Sequence, residues 1–236
     1  MYIVNGDCLE EMKKIENNCV DLIFCDLPYG QTSCKWDCQI NLEQFWKEVM
    51  RIKKTNTPII MTTTTKFGIS LIQSAPKKCP FRYDLVWCKS SACGFLSAKK
   101  MPMRKHEMIY VFYEKLPFYD LSSHKHKFID KEETKKCKTA YGDVLIKPPK
   151  TAGSRYDPPL PDSLLEIKST RGKHSTEKPV QLVEWILKYY SKEGDLVLDP
   201  TMGSGSTGVA CKNMSRKFFG FELDKDIFEV AKKRLE

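Results

Sequence analysis

The sequence contains no long hydrophobic run and no closely spaced pair of cysteines. None of its apolar stretches approaches the roughly 18 residues that a membrane helix requires. The segment MYIVNGDCLEEM lacks the charged and then apolar order of a signal peptide. The ten cysteines are scattered through apolar segments, and none forms a C-x-x-C pair. These absences predict a protein that neither spans a membrane nor is secreted, with reduced thiols in its core.

The sequence also has little that could hold a metal ion. It has four histidines, and Cys34 and Cys38 with one of them would have a poor spacing for zinc. We therefore expect no metal.

Basic residues are concentrated in the middle of the chain. The net charge is +9, and residues 82–178 hold 20 Lys and Arg against 12 Asp and Glu, so this segment carries nearly all of the excess. Solvated lysine-rich loops would produce the same count. A basic segment of this kind is also what a polyanion such as a nucleic acid requires, and nucleic acid is the leading candidate partner.

Hydrophobic periodicity predicts strands that alternate with helices along most of the chain. We expect strands at 2–5, 20–25, 58–62, 83–87, 106–113, 196–198 and 218–221, and helices at 9–15, 42–50, 67–75, 180–190, 207–213 and 227–235. From about residue 116 to 173 the regularity fails in a stretch rich in Lys, Ser and Pro, which we interpret as an inserted recognition region. The alternation predicts a single α/β domain over residues 1–236, with a mostly parallel, doubly wound sheet covered on both faces.

A glycine-rich loop follows a predicted strand near the end of the sequence. In LVLDPTMGSGSTGVA, Gly203, Gly205 and Gly208 have the G-x-G-x-x-G spacing, and Glu222 ends the next strand where an acid can bind a ribose. NAD and S-adenosylmethionine both satisfy this pattern, and a tight turn that binds no ligand is the alternative. Only 33 residues follow Gly203, so the N-terminal half must complete the sheet. This order predicts a circularly permuted Rossmann-like fold, with the strand end at Asp26 beside the glycine loop.

Five segments in a consistent order resemble the amino-group DNA methyltransferases. DLPYG is similar to their D-P-P-Y motif, with Leu27 in place of the usual proline, and DPTMGSGSTG is similar to their cofactor loop. NGDCLEEM, KHEMIYVFY and HSTEKPVQLVEWI are similar to other blocks of the family. The tetrapeptide precedes the glycine loop, as in the β group and especially its small phage and bacterial adenine-specific enzymes. The resemblance covers residues 2–115 and 172–235.

The resemblance implies a methyltransferase that takes a methyl group from S-adenosylmethionine to the exocyclic N-6 amine of an adenine flipped out of double-stranded DNA. Asp26 would accept one amine N–H, and the Leu27 carbonyl, at the turn fixed by Pro28, would accept the other. Tyr29 would stack on the flipped base. The expected cofactor-binding residues are Asp7, Cys8, Asp26, His174, Thr176, Lys178, Asp199, Pro200, Thr201, Gly203, Gly205, Glu222 and Leu223.

Within this set the resemblance assigns distinct roles. Asp7 would bind the adenine of the cofactor, Glu222 its ribose and Asp199 its amino group, while Thr176 and Lys178 would hold its carboxylate. Thr176 could equally be only a helix cap before Pro179. The candidate DNA contacts are Lys99, Lys100, Arg104, Lys125, Lys127 and Arg155.

Several alternatives stay open at this point. Cytosine N-4 methyltransferases share the scaffold, but their tetrapeptide usually begins with serine, so Asp26 favours adenine. A catalytically inactive DNA-binding module and an NAD-dependent enzyme are less favoured, since Asp26 and Tyr29 are intact and no hydride-transfer partner accompanies them. Protein-glutamine methyltransferases place the glycine loop before the tetrapeptide. The segment YDPPLPD also contains Asp-Pro-Pro at 157–159, but Leu160 replaces the aromatic residue, and a polyproline-like loop is expected there.

The setting implied by the resemblance is the cytoplasm or nucleoid of a bacterial cell, or the equivalent in a virus-infected host. A restriction-modification pair, an orphan enzyme and a viral enzyme all fit the sequence. The recognition region is short, which predicts a short DNA target or the participation of a second copy of the chain.

Overall fold

The central feature of the fold is an eight-stranded, mostly parallel sheet. A computed structural model describes residues 1–30, 39–129, 135–139, 142–146, 153–169 and 177–236. The strand order is β1-β12-β11-β2-β3-β5-β4-β10. The strands of this sheet are β1 (Tyr2–Asn5), β2 (Leu22–Cys25), β3 (Ile59–Thr63), β4 (Phe81–Cys93), β5 (Arg104–Phe112), β10 (Leu164–Leu165), β11 (Leu196–Asp199) and β12 (Lys217–Glu222).

The described residues include six α-helices, of which the first five lie between strands and the sixth follows the last strand. They are α1 (Cys8–Met12), α2 (Leu42–Ile52), α3 (Thr65–Ser74), α4 (Val180–Tyr190), α5 (Ser206–Asn213) and α6 (Lys225–Leu235). Asn41, Thr64 and Asp224 begin α2, α3 and α6 by accepting backbone N–H groups that have no partner within the helix.

The core lies on both faces of the sheet. Every side chain of β2 and β3 is buried. Because successive side chains of a strand point to opposite faces, both faces at the centre of the sheet are covered. The helices pack in two groups, α1 with α2 and α2 with α3, then α4 with α5 and α5 with α6. The predicted α/β class, with a mostly parallel sheet covered on both faces, is confirmed.

The two ends of the sequence complete one sheet, as the permuted order predicts. Strand β1 pairs in parallel with β12, and β12 pairs in parallel with β11. Strand β11 in turn pairs in parallel with β2. The chain leaves β2 through α2 to β3 on one side and leaves β11 through α5 to β12 on the other. Ligands of open parallel sheets bind at such a divergence, here between the ends of β2 and β11.

The chain divides into two compact units. The first comprises Met1–Tyr119 with Ser163–Glu236 and contains the sheet, and the second is Asp120–Asp162. In the second unit β6 (Lys125–Ile129) pairs antiparallel with β9 (Gly153–Asp157), and β7 (Lys135–Thr139) pairs antiparallel with β8 (Gly142–Ile146).

The prediction that regularity fails from about residue 116 to 173 is therefore wrong. Five short strands, β6 to β10, lie in this stretch. Strands β7 and β9, with the sequences KKCKT and GSRYD, are mostly polar and lack the apolar alternation that marks a half-buried strand, and β10 has only two residues. The bonds of a two-stranded ladder join backbone groups, so such ribbons form without that pattern. For the same reason β4 extends to Cys93, beyond the predicted 83–87.

The core of the described structure contains free thiols. Among the described residues, Cys8, Cys25, Cys79 and Cys211 are buried and unpaired with one another. No group of three or more His, Cys, Asp and Glu side chains in that part of the chain could hold a metal ion, and Cys34 and Cys38 lie outside the described residues. No helix in the described ranges is long and apolar enough to cross a membrane.

Candidate active site

The early acidic turn and the late glycine loop meet at the ends of β2 and β11. Asp26 directly follows β2, and Thr201 follows β11 by two residues. The Thr201 hydroxyl donates a hydrogen bond of 3.1 Å to the backbone carbonyl of Asp26. The predicted juxtaposition of the two motifs is confirmed.

The Asp26 carboxylate is held by three side chains from three different segments of the chain. Its Oδ1 accepts hydrogen bonds of 2.6 Å from the Tyr29 hydroxyl and from the Thr62 hydroxyl on β3. Its Oδ2 accepts a 2.5 Å hydrogen bond from the Lys178 ammonium. The carboxylate therefore has one orientation, fixed by neighbouring elements. Leu27 points its side chain into the core, where it is 2% exposed, so the turn offers solvent no apolar surface at this position.

Glu107 joins this group, although the sequence analysis assigned it no role. Its Oε1 lies 3.1 Å from Lys178 Nζ and accepts a 3.1 Å hydrogen bond from the Tyr29 hydroxyl. Its Oε2 lies 2.7 Å from Lys89 Nζ. A signal was present in the sequence, since Glu107 directly precedes the buried run MIYVF, and an acid at such a position needs a charged partner.

The protonation states of this network follow from burial and pairing. Burial works against the charge of Glu107, but Lys178 and Lys89 outweigh it and lower the pKa of that carboxyl. Burial likewise disfavours the Lys178 ammonium, yet Asp26 and Glu107 raise its pKa. Burial and then the charge of Asp26 raise the pKa of Tyr29 well above its usual value. The Glu107 carboxylate and the Lys178 ammonium are therefore charged, and Tyr29 remains a neutral donor.

Lys178 is brought into the site by its neighbour in the chain. The Glu177 carboxylate accepts a 3.1 Å hydrogen bond from the Ser206 hydroxyl at the start of α5 and lies 2.7 Å from Arg234 of α6. The chain before α4 is thereby attached beside the glycine loop. His174 and Thr176, which the sequence places in the same segment, lie outside the described residues.

Two glycines of the loop serve different purposes. Gly203 has a φ of +53°, and a Cβ built on it would point into open space. Gly208 has ordinary backbone, but a Cβ there would lie 2.8 Å from the Leu235 side chain and 2.9 Å from the Phe218 ring. The first therefore leaves room beside the loop, while the other allows α5 to pack closely on α6 and β12.

Glu222 is fixed at the far side of this loop. Its Oε2 accepts from the Gly203 N–H at 3.0 Å and its Oε1 from the Asp224 N–H at 2.8 Å. Each oxygen of an ionised carboxylate has about two acceptor sites, so capacity remains for hydroxyl donors. The side chain of the next residue, Leu223, is exposed.

The end of β1 lies beside Glu222. The Asn5 side-chain amide donates to the carbonyls of Glu222 at 2.8 Å and Leu223 at 3.1 Å. Asp7 Oδ1 caps α1 by accepting from the N–H groups of residues 9 and 10, and Cys8 is buried. The structure thus brings Asp7, Cys8, Glu222 and Leu223 to one edge of the sheet, as the prediction of a shared cofactor site requires.

Asp199 is the most deeply buried acid of the predicted set. It is 3% exposed, its Oδ2 accepts from the Thr207 hydroxyl and its Oδ1 from the Thr201 N–H. Burial raises its pKa to about 7 in spite of these two bonds. Pro200, which follows it, is also buried. A cation placed near Asp199 would favour the ionised form.

Comparison with known proteins identifies the family of this chain. The family model for DNA methylases matches residues 20–233. The chain belongs to the DNA methylase family. Among curated relatives, the type II methyltransferase M2.DpnII of Streptococcus pneumoniae is 24% identical over all of this chain and 90% of its own length. The DNA adenine methyltransferase YhdJ of Escherichia coli is 29% identical over 99% of this chain and 82% of its own.

Solved structures show the same fold. The M1.HpyAVI–SAM complex has a TM-score of 0.67 at 24% identity and covers 99% of both chains. The PvuII DNA methyltransferase, described as cytosine-N4-specific, has a TM-score of 0.72 at 15% identity and covers 99% of this chain and 86% of its own. This methylase is therefore an S-adenosylmethionine-dependent DNA methyltransferase with a Rossmann-like fold.

The residues of this methylase fit S-adenosylmethionine. Glu222 would offer its carboxylate oxygens to the ribose hydroxyls, and the open space at Gly203 would admit a ligand against the backbone. The ionised form of the buried Asp199 would provide a negative charge for the amino group. These roles, and those of Asp7, Cys8, Pro200, Thr201, Gly205 and Leu223 in binding, remain predictions. Lys178 as a partner of the cofactor carboxylate also remains a prediction, since its contacts in the structure are Asp26 and Glu107.

We expect cofactor affinity to depend on pH through Asp199. Its carboxyl is protonated below about pH 7 in the free protein, and the cationic amino group of the cofactor binds the ionised form. Binding should therefore be about tenfold weaker at pH 6 than at pH 8, since a proton must first be released. Isothermal titration of S-adenosylmethionine at both pH values, in buffers of different ionisation enthalpy, measures affinity and proton release. The variant Asp199→Asn should bind S-adenosylmethionine weakly at both pH values. If the native protein binds it with equal affinity at pH 6 and pH 8, Asp199 does not bind the amino group of the cofactor.

Proposed function

We propose that this methylase transfers a methyl group to the exocyclic N-6 amine of adenine in double-stranded DNA. The observation that carries the proposal is the Asp26 carboxylate, held at the end of β2 against the glycine loop by Thr62 and Lys178. An acid as the first residue of the tetrapeptide favours adenine, and the relative YhdJ is described as an adenine methyltransferase.

The adenine amine is a poor nucleophile because its lone pair is delocalised into the ring. In the proposed mechanism Asp26 Oδ1 accepts one amine N–H and the Leu27 carbonyl accepts the other, so the nitrogen can become pyramidal. When bound, S-adenosylmethionine supplies the methyl group. The amine loses one proton during the transfer, and Asp26 is positioned to accept that proton. The positions and charges of these groups account for the catalysis, and we propose no metal and no covalent intermediate on the protein.

The Tyr29 hydroxyl occupies Asp26 Oδ1 in the structure, and its ring packs against Phe67 with centroids 5.3 Å apart. The target amine would replace the tyrosine hydroxyl at Asp26 Oδ1. Glu107 would then remain as a hydrogen-bond acceptor for the tyrosine hydroxyl. The tyrosine ring then stacks on the flipped base, which returns part of the few kcal/mol that flipping costs.

The product identifies the reaction. Unmethylated plasmid DNA incubated with the protein and radiolabelled S-adenosylmethionine is digested to nucleosides and separated by chromatography. We expect the label in N6-methyladenine. Label in N4-methylcytosine would establish the alternative base, and no label in DNA would overturn the proposal. Methylation-sensitive sequencing of the same DNA locates the target site.

We propose the second unit, Asp120–Asp162, as the main part of the target-recognition region. In the β6–β9 ribbon Lys127 lies opposite Arg155, and Lys125 lies opposite Asp157. Side chains of a strand alternate between faces, so Lys125, Lys127 and Arg155 share one face of the ribbon. A two-stranded ribbon fits the major groove of DNA, and these cations suit its phosphates.

Salt dependence tests this ribbon. The variants Lys125→Gln and Arg155→Gln should each weaken DNA binding, and each should reduce the slope of log affinity against log salt by about 0.9, because one phosphate is no longer neutralised by the protein. Lys127 should contribute less, since it lies 2.5 Å from Asp157. Lys232→Gln, an exposed lysine on α6, is the control and should leave the slope as it is. Slopes unchanged in both ribbon variants would remove the ribbon from the DNA interface.

The second unit is small, so we propose a short target sequence read by one chain or by a homodimer. Sedimentation of the protein with a duplex that carries the located site gives the number of chains bound.

A further inference from the structure

The hairpin of β4 and β5 continues well past the active site. Its ladder pairs Trp87 with Glu107 and Cys88 with His106, and after a register shift it pairs Cys93 with Arg104. Gly94, with a φ of +91°, then turns the chain into a tip formed by residues 94–103. A 3-10 helix, Phe95–Ser97, lies within that tip.

The tip exposes four large apolar side chains. Phe95 is 76% exposed, Leu96 88%, Met101 61% and Met103 47%. Single exposed apolar residues are ordinary on protein surfaces, but a group of this kind marks a contact with another molecule. The group lies within nine residues of sequence, at the end of a projecting hairpin.

The charges around the tip identify the chemistry of its partner. Lys99, Lys100, Arg104 and Lys105 lie in or next to it, and the sequence has no Asp or Glu between Asp84 and Glu107. A second copy of this chain would place two such cationic surfaces against each other in a symmetric interface, which their repulsion opposes. A polyanion that also presents apolar surface fits both features. Duplex DNA does so, since its base stack lies between rows of phosphates.

The tip is also connected directly to the catalytic residues. Lys89 of β4 lies 2.7 Å from Glu107 of β5, and Glu107 accepts a hydrogen bond from Tyr29. Strand β5 begins at Arg104, three residues before Glu107, and strands advance about 3.4 Å per residue, so the base of the tip lies roughly 10 Å from Glu107 along β5. This length is less than the ~12 Å width of the major groove. DNA that delivers a base to Asp26 therefore passes within reach of the tip.

We propose that the tip is inserted into the base stack when the target adenine is flipped. Phe95 and Leu96 fill the space that the adenine leaves, and the flanking cations bind the phosphates on either side. Apolar side chains of other proteins stabilise distorted DNA in this way. The inference rests on the proposed function, and it assigns the tip a role separate from base recognition and from methyl transfer.

Two duplexes test the insertion. Both carry the target site located by sequencing; in one the target adenine is paired with thymine, and in the other it faces an abasic analogue, so that unpairing is already complete. The double variant Phe95→Ala/Leu96→Ala should transfer methyl groups to the paired duplex roughly tenfold to a hundredfold more slowly than the native protein. Its rate on the abasic duplex should be within about threefold of the native rate, because the flipping cost is removed.

Matched variants separate insertion from affinity. Ile72→Ala removes an apolar side chain of α3 that is 40% exposed outside the tip, and it should leave both rates unchanged. Lys99→Gln/Lys100→Gln should reduce the salt slope of DNA binding, whereas Phe95→Ala/Leu96→Ala should leave that slope unchanged. Equal rates of the apolar double variant and the native protein on the paired duplex would overturn the insertion. So would an equal loss on both duplexes. A native protein that methylates neither duplex would overturn the proposed function itself.

Discussion

Replacing Asp26 by alanine should abolish methyl transfer and leave S-adenosylmethionine binding nearly intact. The reason is that Asp26 Oδ1 is the proposed acceptor for the target amine, and removal of a group that acts at the reacting atom typically costs at least ~10²–10³ in rate. The fold should persist, because Lys178 keeps Glu107 as a partner. Single-turnover transfer to DNA at saturating cofactor and calorimetric binding of the cofactor measure the two properties separately.

The chain offers a matched control for this variant. Asp157 also precedes a proline pair in the sequence, but it lies on the exposed β6–β9 ribbon and is paired with Lys127. Asp157→Ala should therefore retain transfer. The shape-conserving Asp26→Asn should be as inactive as Asp26→Ala, because it loses the charge and the proton acceptor. Loss of both transfer and cofactor binding in Asp26→Asn would point to a role in folding instead.

Replacing Lys178 by methionine should reduce both transfer and stability. Lys178 is buried between Asp26 and Glu107, and removal of the cation leaves Glu107 with Lys89 and takes away the ion-pair partner of Asp26. Breaking a buried ion pair in this way costs about 3–5 kcal/mol. We expect transfer at saturating cofactor to fall by roughly a hundredfold, because the orientation of Asp26 is no longer fixed.

The pH dependence of stability distinguishes this pairing from simple packing. Burial opposes the charge of Glu107, but its lysines lower the pKa below the ordinary 4.5. Its contribution is thus present above that value and is lost as the pH falls through the lower, folded pKa. The stability difference between native protein and Lys178→Met should be largest at neutral pH and smaller at pH 4. Denaturant unfolding at both pH values measures it.

Two further lysine variants serve as controls for Lys178→Met. Lys89→Met removes a cation from Glu107 alone, so it should reduce transfer less than Lys178→Met does. Lys178→Arg restores the charge and should recover part of the transfer rate. If Lys178→Met weakens cofactor binding but transfers at the native rate once the cofactor saturates, Lys178 serves the cofactor carboxylate, as the sequence alone predicts.

Local hydrophobic patterns predicted the positions of strands correctly where a segment buries its own apolar residues. Strand β1 lies at the predicted residues 2–5, and β2 and β11 lie where continuous apolar runs predicted them. The same criterion failed for β7 and β9, which are mostly polar, and for β10, which has only two residues. It also predicted a β4 that is too short, because the exposed end of the hairpin has no apolar alternation. For that reason the tip at residues 94–103 was not predicted.

The sequence by itself determined the reactive groups of this methylase and their order. Asp26, Tyr29, the glycine loop and Glu222 each follow a strand that periodicity reveals, and sheet topology requires the ends of adjacent parallel strands to meet. Only the tertiary structure decided which charges neutralise one another. Lys178 meets Asp26 across 152 positions of sequence, and Glu107 meets both Lys178 and Lys89. Such pairings depend on strand order and register, which bring distant side chains within a few ångströms and leave no periodic pattern in the chain.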